Sequence, residues 1–205
     1  MEKIESSGKT IDEAILMAVA QLGVQRDNLN IEVLEEPVKG LFGFFGSKNA
    51  KVRASIKKTI PETAKDFLSK LMNFMGLDVA INVTQSNDSV DIDLKGKGMG
   101  LVIGHRGETL DALQYLTSLV ANKEGEEYKR ISLDTENYRK KREETLRRLA
   151  KRLSYKVSKT RKKITLEPMN PFERRIIHST LQNDSYVKTY SEGEDPYRRV
   201  VITVK

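Results

Sequence analysis

The sequence predicts an α+β protein built as three small modules in a row. Three observations carry that expectation. Apolar residues fill 38% of the 205 positions and aromatics only 6%, which suits several thin cores better than one large one. Stretches that alternate with period two are interleaved with stretches of helical spacing, and both kinds recur in three clusters. The break at Ile60-Pro61-Glu62-Thr63 and the end of an alternating run at Asp134 then divide the chain into expected modules over residues 1–58, 59–135 and 136–205.

Composition excludes several classes. There is no Cys and no Trp, so disulfide frameworks and Cys-based zinc sites are ruled out. The opening Met1-Glu2-Lys3-Ile4-Glu5 is charged and lacks the apolar core of a signal peptide. No run approaches the ~18 apolar residues of a membrane span, and the expectation is a soluble, cytoplasmic protein with no integral membrane segment. Net charge is +7, unevenly spread: Arg139 to Lys163 holds 13 Lys/Arg against Glu143 and Glu144. That window carries +11 and leaves the other 180 residues at −4. A block so lopsided fits a polyanionic partner, nucleic acid ahead of a membrane surface; a plain solvated helix face is the alternative.

In the first module Lys3 to Ser7 reads as a short strand. Thr10 is placed as an N-cap with Glu13 completing a capping box, and Ile11, Ile15, Val19 and Leu22 form a helical stripe stopped by Gly23. Leu29, Ile31 and Val33 alternate, as do Val52, Ala54 and Ile56, giving the order βαββ. Basic and acidic residues balance at eight each from Met1 to Lys57, so no electrostatic docking surface is expected here. Lys39-Gly40-Leu41-Phe42-Gly43-Phe44-Phe45-Gly46-Ser47-Lys48 is either a protein-binding patch or a cap over the module's own thin core. With the Ala50-Lys51-Val52-Arg53 strand that follows, the Lys-Gly-Leu-Phe-Gly stretch resembles the N-terminal domain of the bacterial Jag family.

The central module opens with acids in a first helical turn, then Ala64, Phe67, Leu68, Leu71 and Phe74 as an apolar stripe closed by Gly76. Val79, Ile81, Val83 and Val90, Ile92, Leu94 alternate around a Ser86-Asn87-Asp88 turn, a β-hairpin. Leu101, Val102 and Ile103 begin a short helix that Gly104-His105-Arg106-Gly107 interrupts. Leu110, Leu113, Leu116, Leu119 and Val120 are the expected buried face of the next helix, and Ile131 and Leu133 mark a last strand. Two glycines around a basic pair bring backbone close to a sugar-phosphate chain, with the following helix start offering N–H groups. Alone, such a loop is an ordinary helix–helix turn; within the order αββααβ it resembles a type II KH domain. That resemblance implies binding of a short single strand of RNA or DNA. It assigns Gly104, His105, Arg106 and Gly107 to the clamp and Ile103 to the groove wall, with His105 and Arg106 expected to be exposed.

The third module begins with a long helix from Glu136 to about Ser158, whose narrow stripe of Leu146, Leu149, Ala150, Leu153 and Val157 needs another element to lie against. Lys163 to Leu166 reads as a short strand. Asn170 and Pro171 start a helix running through Phe172, Ile176, Ile177 and Leu181, and Val187 to Ile202 folds back as a hairpin with an acidic Gly/Pro turn. Arg174 and His178 lie four apart on one helix face, with Arg175 flanking it, a pairing suited to phosphate and to base stacking. Taken alone it is also an ordinary exposed face. With the Met169-Asn170-Pro171-Phe172 lead-in and the tail, the module resembles the R-three-H domain, a single-stranded nucleic-acid binder. The resemblance places Arg174, His178 and Arg198 together.

Both histidines, His105 and His178, fall in these motifs; no Cys nucleophile and no Walker-type phosphate loop is present. The chain reads as a binder and not an enzyme, with no cofactor and no metal site. Module order covers nearly the whole chain and resembles the Jag family. The resemblance implies binding of single-stranded RNA, with single-stranded DNA as the variant, in a regulator of cell elongation and division or of sporulation. It also implies association with a small single-KH protein, or self-association, and with a membrane insertase. An adaptor for protein partners, with nucleic acid secondary, is the competing reading.

Overall fold

The computed structural model describes residues 3–38, 48–123 and 127–205. The chain is α+β and forms two compact units, Met1–Thr63 and Ala64–Lys205. The Phe/Gly-rich stretch singled out above lies, but for Lys48, outside the described residues.

In the first unit the strands are β1 (Lys3–Gly8), β2 (Leu29–Glu35) and β3 (Ala50–Ile56), in an antiparallel sheet ordered β1-β3-β2. Helix α1 (Ile11–Leu22) covers one face. Its Thr10 cap accepts from the Glu13 N–H, and Gly23 closes it in the left-handed conformation at φ 67°. The deepest positions are Ala14, Ile15 and Ala18, with Ile11, Val19 and Leu22 packed around them. Small residues matter here because the helix lies close to the sheet: Ser6 Oγ donates to the Ala14 carbonyl at 2.7 Å, and a Cβ on Gly8 would sit 2.6 Å from the Ala14 nitrogen. Glu5 bridges Lys51 at 2.7 Å and Arg53 at 2.9 Å, while Arg53 also meets Glu32. The module's balanced charges are thus partly spent across its own strands.

Helix α2 (Ile60–Phe74) leads into the second unit, and its capping box is reciprocal: Thr59 N–H donates to Glu62, and Glu62 N–H to Thr59 Oγ1. Ala64, Leu68 and Met72 form its buried stripe, whereas Phe74, expected inside, is 90% exposed. Strands β4 (Val79–Gln85) and β5 (Ser89–Gly96) make the expected hairpin, and β6 (Arg130–Thr135) joins β5 in parallel. Between them come α3 (Met99–Ile103) and α4 (Glu108–Ala121), completing αββααβ.

Helix α4 departs from expectation. Leu110 and Leu113 are buried, but the stripe continues through Thr117 and Ala121, and Leu116, Leu119 and Val120 face outward. Thr117 tolerates burial because its hydroxyl donates to the Leu113 carbonyl at 2.6 Å. Counting apolar residues selected the wrong face; a polar residue that satisfies itself kept the right one hidden.

The rest of this unit is α5 (Tyr138–Thr160), β7 (Ile164–Thr165), α6 (Pro171–Leu181), β8 (Val187–Glu192) and β9 (Arg199–Val204), with sheet order β7-β9-β8. Leu146, Ala150 and Val157 of α5 pack with Ile176, Ile177 and Leu181 of α6 and Val187, Val200 and Ile202 of the sheet. The narrow stripe of α5 therefore finds α6 and the hairpin as its partners.

Candidate nucleic-acid interface

The Gly-His-Arg-Gly loop turns the chain between α3 and α4 with three residues at positive φ, Gly104 at 69°, Arg106 at 57° and Gly107 at 87°. Both glycines are demanded by their surroundings. A Cβ on Gly104 would collide with the Thr109 hydroxyl, and one on Gly107 would sit 2.7 Å from Tyr138 Cε1. His105 points outward and lies 3.7 Å from Glu108. Ile103 is half-buried beside it.

Arg106 is not the exposed cation the sequence suggested. Its guanidinium donates to the Pro168 carbonyl at 3.0 Å and pairs with Glu167, leaving the side chain 26% exposed. The left-handed backbone of a non-glycine residue costs about 1–3 kcal/mol, which these contacts help offset. The first turn of α4 carries Glu108 and Asp111, so acids share the space where phosphate was expected. Asp111 is held by Arg139 Nη1 at 2.7 Å, and Arg139 also donates to Gln114 and to the Leu133 carbonyl. The long basic helix is thereby pinned to α4.

In the last module Asn170 Oδ1 accepts from Glu173 N–H at 2.8 Å and Pro171 takes the first helical position, as the sequence predicts. Arg174 is 8% exposed and donates from Nη1 to the Met169 carbonyl at 2.6 Å and to Asp195 at 3.0 Å. His178 is hydrogen-bonded through Nδ1 to Thr189 Oγ1 at 2.7 Å and through Nε2 to Ser191 Oγ at 2.8 Å. Burial, then the nearby Arg174 charge, push its pKa below that of a free imidazole. These two motif residues thus fasten α6 to the β8–β9 hairpin. The Arg198 carbonyl accepts from Met169 N–H at 3.2 Å, next to the carbonyl that Arg174 holds, while the Arg198 side chain is exposed and forms no hydrogen bond with His178.

Arg175 is exposed and borders a shallow groove with His178, Lys188 and Lys205. Sequence reading missed Lys188, which lines this groove beside Thr189 at the edge strand β8. It also missed the Arg142–Glu173 pair, 2.6 Å long, with the glutamate 5% exposed. Twelve of the 13 cations between Arg139 and Lys163 are exposed, so this face of α5 remains strongly basic.

The scaffold defines a class before it defines a family: a KH fold joined to an R-three-H fold. Family models agree module by module. The Jag N-terminus model matches residues 6–56, the model of the KhpA/KhpB KH domain matches 61–132, and the R-three-H domain model matches 144–204. The chain is 45% identical to the RNA-binding protein KhpB of Clostridium symbiosum over its whole length and 93% of that protein. It is 40% identical, end to end on both chains, to RNA-binding protein KhpB of Bacillus subtilis (strain 168). A KhpB of Lactiplantibacillus plantarum is 34% identical over 75% of this chain and 48% of its own length. The chain belongs to the KhpB family of Jag proteins. Among the described residues no helix is long and apolar enough to cross a membrane.

Proposed function

We propose that the chain binds single-stranded RNA, with single-stranded DNA as the variant ligand, and that it grips one strand with two modules at once. The observation that carries this reading is the contact of the Gly-His-Arg-Gly loop with the segment leading into the R-three-H helix, through Arg106, Pro168 and Glu167. Two sites held at fixed spacing act on a strand with a high effective concentration for the second contact. The KH side consists of Ile103, Gly104, His105 and Gly107, with His105 as the outward group and Arg106 setting the loop against its neighbour. On the other side Arg175, His178 and Arg198 contribute with Lys188, while Arg174 holds the hairpin in place. Cations of α5 add sequence-independent attraction. The names of the relatives support RNA as the ligand, and the family likeness supports a regulatory role in elongation and division or in sporulation.

Recovery of RNA crosslinked to the protein in cells tests this directly. Replacing His105 and Arg175 with Asp is expected to reduce recovery at least tenfold with the fold intact, since both side chains are exposed. Undiminished recovery overturns the assignment.

A second reading has its own observation. Tyr115, Leu116, Leu119 and Val120 expose an apolar face on α4 at 65%, 45%, 53% and 37%. This face supports pairing through the KH module, with a small single-KH protein or a second copy, as an adaptor would require. Sedimentation of wild type and Leu119→Asp, alone and with the single-KH protein, decides it: loss of the larger species in the variant supports pairing through α4.

A further inference from the structure

A cleft of about 340 Å³ lies between the Gly-His-Arg-Gly loop and the R-three-H module, and no role assigned so far uses it. Leu146 and Ile176 form its apolar floor. One wall is Tyr138, packed so closely on Gly107 that no Cβ fits between them. Phe172, in the first turn of α6 directly after Pro171, also lines it. Phe172 is 63% exposed although it stands on a rigid helix beside an apolar floor. It costs solvation without contributing to the core.

Three arginines border the cleft, and each is already held by an acid: Arg106 by Glu167, Arg139 by Asp111 and Arg142 by Glu173. The mouth is therefore close to electrically neutral and does not suit a phosphate. It suits a flat, uncharged ring with a hydrogen-bonding edge. Its volume is at the lower end of the range for ligand pockets, about 300–1,000 Å³, too small for a helix of a partner protein. Its position beside the loop brings a strand's sugar-phosphate backbone within reach.

We infer that this cleft takes one nucleobase of the bound strand, splayed out of the stack and laid against the ring of Phe172. The inference rests on the chain being a single-strand binder. It makes the junction between the two modules a contact in its own right and gives the strand a path from one to the other. Phe172 is the residue that senses the base; Tyr138 and Gly107 keep the cleft open by holding the loop in place.

The chain has no Trp, so Phe172→Trp introduces a single indole emitter at the cleft. The full chain is titrated with a twelve-nucleotide single-stranded RNA and with an abasic strand of the same length. RNA is expected to quench the indole and the abasic strand to leave it unchanged. Phe172→Ala is expected to weaken RNA binding by roughly tenfold, the scale of one base–aromatic stack, and to leave abasic-strand binding as in wild type. Equal RNA affinity for Phe172→Ala and wild type overturns the inference, as does equal weakening on both strands. Quenching by a free nucleoside monophosphate at the same concentration overturns it too, because the cleft then belongs to a small molecule. Failure of wild type to bind any single strand sinks the function reading itself, which the other outcomes leave standing.

Discussion

Arg106 Nη1 donates to the carbonyl oxygen of Pro168 at 3.0 Å, across 62 positions of sequence. A residue expected to reach for phosphate is instead the clasp between two nucleic-acid-binding folds. The clasp is also where the loop's backbone is strained, so the contact stabilises a conformation the local sequence disfavours.

Arg106→Ala is expected to lower stability by about 1.5–3 kcal/mol, the scale of a charged hydrogen bond lost from a part-buried site. Glu167 is 73% exposed, and Glu167→Gln is expected to cost under ~1 kcal/mol because water screens that ion pair. The same Glu167→Gln removes an acid beside the loop and is expected to raise RNA affinity. Urea unfolding and anisotropy titrations on both variants check the pair of outcomes.

Gly107→Ala is expected to be destabilising whether or not RNA is present. Its Cβ would press on Tyr138 Cε1 at 2.7 Å, in a conformation with φ 87° that favours glycine. A melting temperature lower than that of wild type in RNA-free buffer is the measurement; an unchanged value contradicts the packing argument.

Neighbouring arginines on α6 are expected to separate fold from binding. Arg174→Ala strips the Met169 carbonyl and Asp195 of a buried donor and is expected to lose about 2–3 kcal/mol. Arg175→Ala is expected to leave stability unchanged and to reduce the slope of log affinity against log salt by about one phosphate contact. Equal unfolding midpoints for wild type and Arg174→Ala contradict this division.

His178 gives a pH dependence with a definite sign. Its folded pKa lies below the unfolded value, so at intermediate pH the unfolded chain binds the extra proton. Its contribution is fully present above about 6.5, the free imidazole value, and is lost as pH falls through and below that point. Thr189 and Ser191 face the ring from β8 and Arg174 from its own helix, and none of them supplies a compensating negative charge. Urea midpoints between pH 7.5 and 5 are expected to fall more steeply for wild type than for His178→Gln.

Most of the fold was legible because each module's strands alternate cleanly and its helices carry caps the sequence displays: Thr10, Gly23, Asn170 and Pro171 all act as read. The face of α4 was not legible, since Thr117 and Ala121 hold the buried positions while Leu116 and Leu119 advertise the other side. At the candidate site the motifs did not say which side chains stay exposed. Arg106 and Arg174 look like free cations in sequence, and only tertiary acceptors, Pro168 and Met169, turn them inward. Those acceptors are backbone carbonyls, which leave no mark on residue identity. Lys188 and Phe172 were passed over for the converse reason: nothing local says that a strand lysine or a first-turn phenylalanine lies beside a motif.

The proposed RNA grip turns on one strand crossing both modules. Affinity of the full chain for single-stranded RNA, measured by anisotropy as strand length grows at fixed salt, tests this most directly. A KH groove alone holds about four nucleotides. The expected result is weak binding at that length and a steep gain, with a steeper salt slope, once the strand is long enough to reach Arg175 and Lys188. An affinity already at its ceiling with four nucleotides, or no affinity at any length, contradicts the two-module grip.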